Sequence, residues 1–559
     1  MHCAVLWCHP ARNTPPPAAF GDAKAILAGA TFGGGTSVNW ACCLPPPPFV
    51  RKEWKDKHGL AQFTEPQFDE ALAAVNKRIG ATVEGVVHNG TNALMLDSCK
   101  KLGYQCDVAP QNLKDTGSAS AGWTCFGDRY GNKQGTLRTF LTDAAAAGTA
   151  FVHECAVEKV LHESGGGGGS GDNDRNRRVA TGVVARVGNP AEGPTFKLTV
   201  KAKRCVIVAC GSLHSPCLLL RSGFKSDHVG KHLRLHPVTG VVAEFQGKKM
   251  EVWSGAPMTT VCKVAEMGPN ADGYGAKLEV PSAHLGLMAA YVPWFGGAEL
   301  KETLAKASET SALIVLQRDS GEGQIRLGPD GFSPKVAYSV SDADKASMQA
   351  ALAHAVRILA AGSPAKISTL HSERCQFEQK GRVCDGTGVD PAAEAELEAY
   401  IARADSLGLH SNSVGIFSAH QMGSNRMGAE PSQSVVDQNG EMWECDGLFL
   451  CDASVFPTAS GSNPMITTLA TAQMLMTRLA SRLQHEDAAG AGAGAGAAAL
   501  QLKERRAQRH GSATKATEKT RARATLLTFG TAALAVAAAA WLWAAAAAAA
   551  AATTAGSEQ

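Results

Sequence analysis

Residues 203–222 read KRCVIVACGSLHSPCLLLRS, and they place a short apolar strand directly before a helical segment. The uninterrupted run CVIVA is typical of a buried strand, and a Gly-Ser turn separates it from leucines at helical spacing. The same order recurs at 447–452 (GLFLCD), where a second buried strand ends at Asp452 before a helical pattern that starts at Pro464. Strands that end in such turns before helices predict an α/β fold with a doubly wound sheet, in which ligands bind at the strand ends.

Two other regions indicate antiparallel strands. Residues 152–163 and 177–187 alternate apolar and polar side chains on either side of the glycine run Gly165–Gly169, which predicts a hairpin with a flexible loop. Residues 235–345 carry several β-branched runs with little helical period. We therefore expect a second, α+β domain that is built on an antiparallel sheet.

The composition excludes several classes of function. The chain has 559 residues, and 54 Lys+Arg against 51 Asp+Glu give a formal charge of +3. We therefore expect no nucleic-acid binding driven by net charge. Hydrophobic residues make up 45% of the chain, which is too many for a mainly disordered protein. The 16 cysteines contain no CxxC pair, so they indicate free thiols in a reducing compartment, and we predict no metal site.

The C-terminal region predicts a membrane anchor. A low-complexity stretch at 488–499 ends the globular part, and residues 487–525 are expected to form a flexible basic linker. Residues 526–552 then run without a charge and are long enough to form a transmembrane helix. Basic residues on one side only favour a globular part in the cytosol. The alternative is an alanine-rich tail on the protein surface.

A glycine-rich segment, GATFGGGTSVNW at 29–40, is a candidate ligand-binding turn. Consecutive glycines let the backbone approach a ligand closely, and Thr and Asn side chains supply hydrogen bonds beside them. Phosphate or pyrophosphate binding is one use of such a segment, and an ordinary glycine turn is the alternative. The residues concerned are Gly33, Gly34, Gly35, Thr36 and Asn39.

His420 and Asn463 are the candidate catalytic residues. Histidine is the side chain best suited to accept a hydroxyl proton near neutral pH, and an amide at a helix start can donate to the same substrate oxygen. The positive end of that helix can stabilise negative charge on a nearby cofactor ring. Hydride removal from an alcohol needs such an assembly. Taken separately, His420 is also typical of a core or surface histidine, and Asn463 of a helix N-cap.

These segments resemble the glucose-methanol-choline (GMC) family of flavin oxidoreductases, and most of all the long-chain fatty alcohol oxidases of plants. AGATFGGGTSVNW resembles the family's second FAD-binding signature, and residues 420–473 resemble its C-terminal active-site block. Three further segments match in order between them, at 131–141, 208–223 and 229–237. The resemblance implies an FAD-binding domain made of residues 20–45, 135–234 and 415–486, and a substrate domain made of residues 46–134 and 235–414.

The resemblance also implies a role for each site residue. His420 resembles the family's proton acceptor, and Asn463 matches the second active-site position. The glycine-rich segment would lie along the FAD, the backbone of Val157 would meet its adenine, and Asp452 would contact its ribityl chain. Ala453 and Pro464 are expected beside the cofactor as well. His236, in the matching segment LRLHP, is interpreted as structural.

One departure from the family pattern concerns the dinucleotide-binding unit. The family begins with a strand, a GxGxxG turn and an acidic ribose ligand, and the roughly thirty residues before Gly33 do not contain them. We therefore expect a truncated FAD-binding domain, whose affinity for FAD is weaker by several kcal/mol.

The function that the resemblance implies is an FAD-dependent long-chain fatty alcohol oxidase, to which the C-terminal region adds the expected membrane anchor. It would convert a primary alcohol and O2 into an aldehyde and H2O2, with hydride transfer to the flavin. One alternative is a catalytically inactive remnant that binds a lipid or a partner protein. Another is a GMC dehydrogenase that uses a different electron acceptor, or a fatty-acid photodecarboxylase, although the His/Asn pair favours alcohol oxidation over decarboxylation.

Overall fold

The computed structural model describes residues 4–5, 25–164, 178–188, 193–381, 383, 389–410 and 412–492. Ten α-helices lie within that part of the chain: α1 (Pro48–His58), α2 (Pro66–Ile79), α3 (Gly90–Leu102), α4 (Phe140–Ala146), α5 (Gly211–Arg221), α6 (Leu285–Tyr291), α7 (Gly297–Ala305), α8 (Asp342–Ala360), α9 (Pro391–Leu407) and α10 (Met465–Gly492).

The same residues form nineteen strands: β1 (Ala4–Val5), β2 (Ala25–Ile26), β3 (Gly29–Ala30), β4 (Cys106–Val108), β5 (Cys155–Ser164), β6 (Arg178–Val187), β7 (Phe196–Lys201), β8 (Val206–Val208), β9 (Val238–Glu244), β10 (Thr260–Ala265), β11 (Ala276–Glu279), β12 (Thr310–Gln317), β13 (Gln324–Leu327), β14 (Pro334–Ala337), β15 (Lys366–Thr369), β16 (Gln376–Glu378), β17 (Phe417–Ser418), β18 (Cys445–Asp446) and β19 (Leu448–Leu450).

A nine-stranded sheet dominates the fold. Its strands run in the order β16-β15-β9-β12-β11-β10-β4, with neighbours antiparallel, and β17 joins β9 to β2 at the side. Helix α8 packs across this sheet through side chains at helical spacing, among them Met348, Leu352 and Leu359, which are all buried. This arrangement confirms the predicted antiparallel sheet, whereas the exact domain boundaries stay a prediction.

The two strand–turn–helix units of the sequence lie side by side. β8 pairs in parallel with β19, α5 follows β8, and α10 follows the turn after β19. The predicted hairpin is also confirmed, since β5 pairs with β6 in antiparallel register. An extended doubly wound sheet is not found among the described residues, and this part of the prediction is wrong for them. β5 and β6 pair in antiparallel register through a hairpin, whereas neighbouring parallel strands of a doubly wound sheet would need crossover connections.

Helix α10 anchors the loop that follows β19 to the core. Its apolar side chains at helical spacing, such as Ile466, Leu469 and Leu475, are buried, and the helix packs along α2. α10 ends at Gly492, so it includes the first residues of the predicted linker.

The predicted transmembrane helix, at residues 526–552, lies outside the described residues, as do the rest of the basic linker and the glycine run Gly165–Gly169. Among the helices from α1 to α10, none combines the length and the apolar character that crossing a membrane requires.

Candidate functional site

A cavity of about 960 Å³ lies between the carboxyl ends of β8 and β19 and one face of the large sheet. This volume is at the upper end of the range for small-molecule and cofactor sites. The predicted site residues that line it are Gly33, Gly34, Gly35, Thr36, Asn39, His420, Asp452, Ala453, Asn463 and Pro464. Ten of the eleven predicted residues therefore meet at one cavity.

The glycine-rich segment forms one wall of the cavity. Gly33 and Gly34 have φ angles of 92° and 57°, in the left-handed region that favours glycine. Thr36 fixes the turn, since its Oγ1 donates to the carbonyl of Gly33 at 2.7 Å and accepts the N–H of Thr136 at 3.0 Å. A Cβ at Gly34 or Gly35 would meet no atom within 4 Å. The wall is therefore a cradle of bare backbone, which suits close approach of a large cofactor.

A side chain at Gly35 is expected to block this cradle without harming the fold. The variant Gly35→Leu should weaken cofactor binding at least tenfold (roughly 1.4 kcal/mol), because the leucine would occupy space that now faces the cavity. Gly297→Leu is the control, since a Cβ there also meets no atom within 4 Å and lies outside the cavity. Flavin titration followed by fluorescence, with thermal unfolding of both variants, measures the effect. Equal affinity in the two variants would contradict the assignment of this wall.

Asp452 lies just after the end of β19 and binds the beginning of α5. Its carboxylate accepts the N–H of Gly211 at 2.9 Å and the hydroxyl of Ser215, both at the beginning of α5. The other oxygen accepts the N–H of Ser454 at 2.8 Å. The negative charge is favourable at the N-terminus of α5 because that end of the helix is positive. The contacts fix the carboxylate at the cavity edge, where its remaining lone pairs can accept ligand hydroxyls.

His420 follows β17 and contacts a second histidine. The two Nδ1 atoms of His420 and His236 are 3.1 Å apart, and the rings meet edge to face. Burial lowers the pKa of His420 to about 4 and lowers that of His236 well below its ordinary value. Both rings are therefore neutral at physiological pH, so His420 is in the form that can accept a proton.

The backbone determines which nitrogen of His236 carries the proton. The N–H of Gly461 donates to His236 Nε2 at 3.2 Å, so the single proton of this neutral ring is on Nδ1 and points to His420. In this arrangement neutral His420 carries its own proton on Nε2. His420 Nε2 can therefore accept a proton only after both rings change tautomer, with the proton of His420 on Nδ1 and that of His236 on Nε2.

Asn463 lies in the loop just before α10 and reaches the same cavity. Its Nδ2 donates to Glu279 Oε2 at 3.2 Å, whereas its Oδ1 is buried and has no hydrogen-bond partner. Because Oδ1 accepts no backbone N–H, the side chain does not act as an N-cap of α10. The interpretation of Asn463 as an ordinary cap is therefore wrong.

Two residues of this site were not predicted from the sequence. The sequence motifs indicate only a structural role for His236, and they do not point to Glu279. One pattern in the sequence does point to Glu279: Lys277 and Glu279 alternate with apolar residues on one strand, and charged side chains on a strand face between buried neighbours suggest an enclosed polar site. Lys277 and Glu279 are both buried, with exposed fractions of 4% and 0% respectively.

Val157 is the predicted residue that lies outside the cavity. It belongs to β5, and its carbonyl accepts a hydrogen bond from Arg221 Nη2 at 3.3 Å. Its predicted contact with adenine stays a prediction.

The comparisons with known proteins agree with this geometry. Two family models, both described as GMC oxidoreductase, match residues 17–238 and 319–472, which together make up most of the chain. The chain belongs to the GMC oxidoreductase family. The resemblance that the motifs indicated is therefore confirmed.

Curated relatives of this GMC oxidoreductase include plant enzymes. The long-chain-alcohol oxidase FAO4A of Arabidopsis thaliana is 33% identical over 450 residues, which cover 79% of this chain and 57% of that protein. The long-chain-alcohol oxidase FAO3 of the same plant is 30% identical, over 82% of this chain and 59% of that protein. The chain thus spans less than two thirds of the length of these relatives.

Solved structures show the same fold. A formate oxidase superposes with a TM-score of 0.54 and 14% identity, over 81% of this chain and 85% of that chain. A pyridoxine 4-oxidase from Mesorbium loti superposes with a TM-score of 0.54 and 16% identity, over 83% and 86%. The proteins of this family are FAD-dependent flavoproteins, and the bare glycine cradle and the large cavity of this GMC oxidoreductase fit that cofactor.

Proposed function

We propose that the protein is an FAD-dependent oxidase of long-chain primary alcohols, which forms an aldehyde and H2O2 from the alcohol and O2. The observation that carries the proposal is that His420 and Asn463 line one cavity together with a large apolar surface from the antiparallel sheet. The relatives named long-chain-alcohol oxidases support the same substrate class.

The apolar part of the cavity suits an alkyl chain. It is lined from β9 and β12 by Val242, Ile314 and Leu316, which share one face of the sheet, and from α6 by Leu287 and Met288. Burial of each methylene contributes about 0.8 kcal/mol, so binding should tighten roughly fourfold per added carbon until the cavity is filled. Short alcohols cannot use this surface, and we expect them to be poor substrates.

Ala312, half-buried on β12, is the position to test this assignment because it lines the same surface. The variant Ala312→Phe should raise KM for a long-chain alcohol by about tenfold or more, since a ring there would displace several methylenes. KM for a short alcohol should change little. Ala337→Phe, half-buried on β14 outside the cavity, is the matched control. Equal losses with long and short alcohols, or in both variants, would contradict the assignment.

In the proposed reaction, His420 Nε2 takes the hydroxyl proton. It must first adopt the tautomer with its own proton on Nδ1, and this N–H then donates a hydrogen bond to His236 Nδ1, while the proton of neutral His236 lies on Nε2. FAD, when bound, supplies the ring that accepts the hydride from the carbinol carbon. The exchange of tautomers places a proton on His236 Nε2, so the N–H of Gly461 loses its acceptor, at a cost of about 1–3 kcal/mol. His236 is therefore coupled to the proton transfer although it is fully buried.

Oxygen as the electron acceptor is the part of the proposal that a dehydrogenase would not share. Stopped-flow mixing of the alcohol-reduced protein with O2 separates the two functions. Rapid return of the oxidised flavin spectrum with formation of H2O2 supports the oxidase. Slow reoxidation, accelerated by an artificial acceptor, would identify a dehydrogenase instead.

The membrane anchor belongs to the same proposal. A lipid-soluble alcohol partitions into the bilayer, and a C-terminal span at 526–552 behind a basic linker would hold the globular part beside it in the cytosol. Fractionation of the full chain and of a chain that ends at residue 492 tests this, with membrane association expected only for the full chain.

A further inference from the structure

Glu279 lies in contact with the proposed catalytic amide. It is the last residue of β11, it is fully buried, and its Oε2 accepts the 3.2 Å hydrogen bond from Asn463. Its Oε1 has no hydrogen-bond partner. A buried carboxyl oxygen without a hydrogen-bond partner destabilises the fold, and a functional role would explain why the chain retains it.

The groups around Glu279 do not neutralise its charge fully. Lys277, on the same strand, forms an ion pair with Glu266 at 2.7 Å and also donates to the carbonyl of Gly461. The thiol of Cys42 also interacts electrostatically with Glu279. Its pKa is raised well above the ordinary value, mainly by burial and then by this carboxylate. The strand neighbours opposite Glu279 are Val261 and Ile314, which carry no charge.

The carboxyl group changes its protonation in the physiological range. Burial raises the pKa of Glu279 to about 7, although the N–H of Asn463 and the charge of Lys277 act in the opposite direction. Protonated and ionised forms are therefore both populated near neutral pH. This behaviour matters because the two forms present different hydrogen-bonding atoms to Asn463.

We propose that Glu279 is a positioning residue whose protonation determines which end of the Asn463 amide faces the cavity. The proposal rests on the proposed function only because that function makes the Asn463 amide part of the catalytic site. An ionised carboxylate can only accept, so it holds Nδ2 and leaves Oδ1 unpartnered, as the structure shows. A protonated Glu279 can donate to Oδ1 instead, and the amide then turns its N–H groups to the cavity.

The second arrangement is the productive one. Removal of the hydroxyl proton leaves negative charge on the alcohol oxygen, and an N–H donor stabilises that charge whereas a carbonyl oxygen repels it. The rate of flavin reduction should therefore fall as the pH rises through the pKa of Glu279. Met258 Sδ, at 3.8 Å from Asn463 Nδ2, is the only other acceptor near that nitrogen among the described residues, and it is a weak one.

Infrared titration tests the coupling without any activity. The C=O band of protonated Glu279, identified by its loss in Glu279→Gln, should disappear as the pH rises through about 7. In Asn463→Ala the band should persist to higher pH, because the N–H that stabilises the carboxylate is lost. Thr467→Val is the control, since Thr467 Oγ1 is buried on α10 and has no partner. An unchanged titration in Asn463→Ala would overturn the proposal even if the protein oxidises alcohols.

The pH dependence of flavin reduction supplies the second readout. Glu279→Gln is neutral at every pH and can donate to Asn463 Oδ1, so the fall in rate with rising pH should be absent in this variant. Glu279→Leu should reduce the rate about tenfold at low pH while KM changes little, because the amide is no longer held. A wild-type pH profile in Glu279→Gln would contradict the proposal. If the wild type oxidises no alcohol but Asn463→Ala shifts the infrared titration, the proposed function fails and the coupling stands.

Discussion

Replacing His420 by alanine is expected to slow the reduction of bound flavin by a long-chain alcohol roughly 10²–10⁴-fold, the range that a positioned general base contributes. The expectation follows from the site, where burial keeps His420 neutral and the ring shares the cavity with Asn463. The rate of flavin bleaching after anaerobic mixing with the alcohol measures this step, in protein saturated with FAD.

The control for this prediction is the flavin content. His420→Ala should bind as much flavin as the wild type, because the glycine cradle lies on a different segment from His420. Asn425→Ala serves as a matched variant, since this nearby buried side chain bonds Ser454 and does not line the cavity. Normal flavin reduction in His420→Ala would remove this residue from the mechanism.

Replacing Glu53 by alanine is expected to cost about 3–5 kcal/mol of the free energy of unfolding, because it leaves a buried arginine charge without its partner. Glu53 Oε1 accepts hydrogen bonds from Arg318 at 2.7 Å, from Thr458 at 2.8 Å and from Tyr274 at 3.0 Å. These contacts join α1 to the end of β12 and to the loop that leads to Asn463. Denaturant unfolding followed by tryptophan fluorescence measures the loss.

The same network has a pH dependence with a defined sign. Burial by itself would raise the pKa of Glu53, but Arg318 and the hydroxyl donors lower it below its ordinary value. The stabilisation is therefore complete above the pKa of the unfolded state and is lost as the pH falls through the lower pKa of the folded state. Asp56→Ala is the control, because Asp56 pairs with Lys52 on the exposed face of the same helix. Equal destabilisation by the two variants would contradict the account.

The sequence predicts those parts of the fold that short patterns encode. The runs before Gly211 and Asp452 predict β8 and β19, and leucine spacing predicts the helices that follow them. The alternation on both sides of residues 165–177 predicts the β5–β6 hairpin. The extended doubly wound sheet was wrong for the described residues because local patterns do not tell how many parallel strands pair side by side.

The catalytic partners depend on long-range register and were not predictable in this way. His236 meets His420, and Glu279 meets Asn463, across 184 residues of chain in each case. Glu279 reaches the active-site loop only because β11 sits between β10 and β12 in the large sheet. The motifs did predict that His420 and Asn463 share a site, since the family resemblance carries that information without the register.

The measurement that tests the central claim most directly is anaerobic addition of a long-chain primary alcohol to the FAD-saturated protein, with the flavin spectrum and the aldehyde recorded together. The account predicts that the oxidised flavin absorbance bleaches and that one aldehyde forms per flavin reduced. A protein that holds flavin in this cavity, yet shows neither bleaching nor aldehyde with alcohols of any chain length, would contradict it.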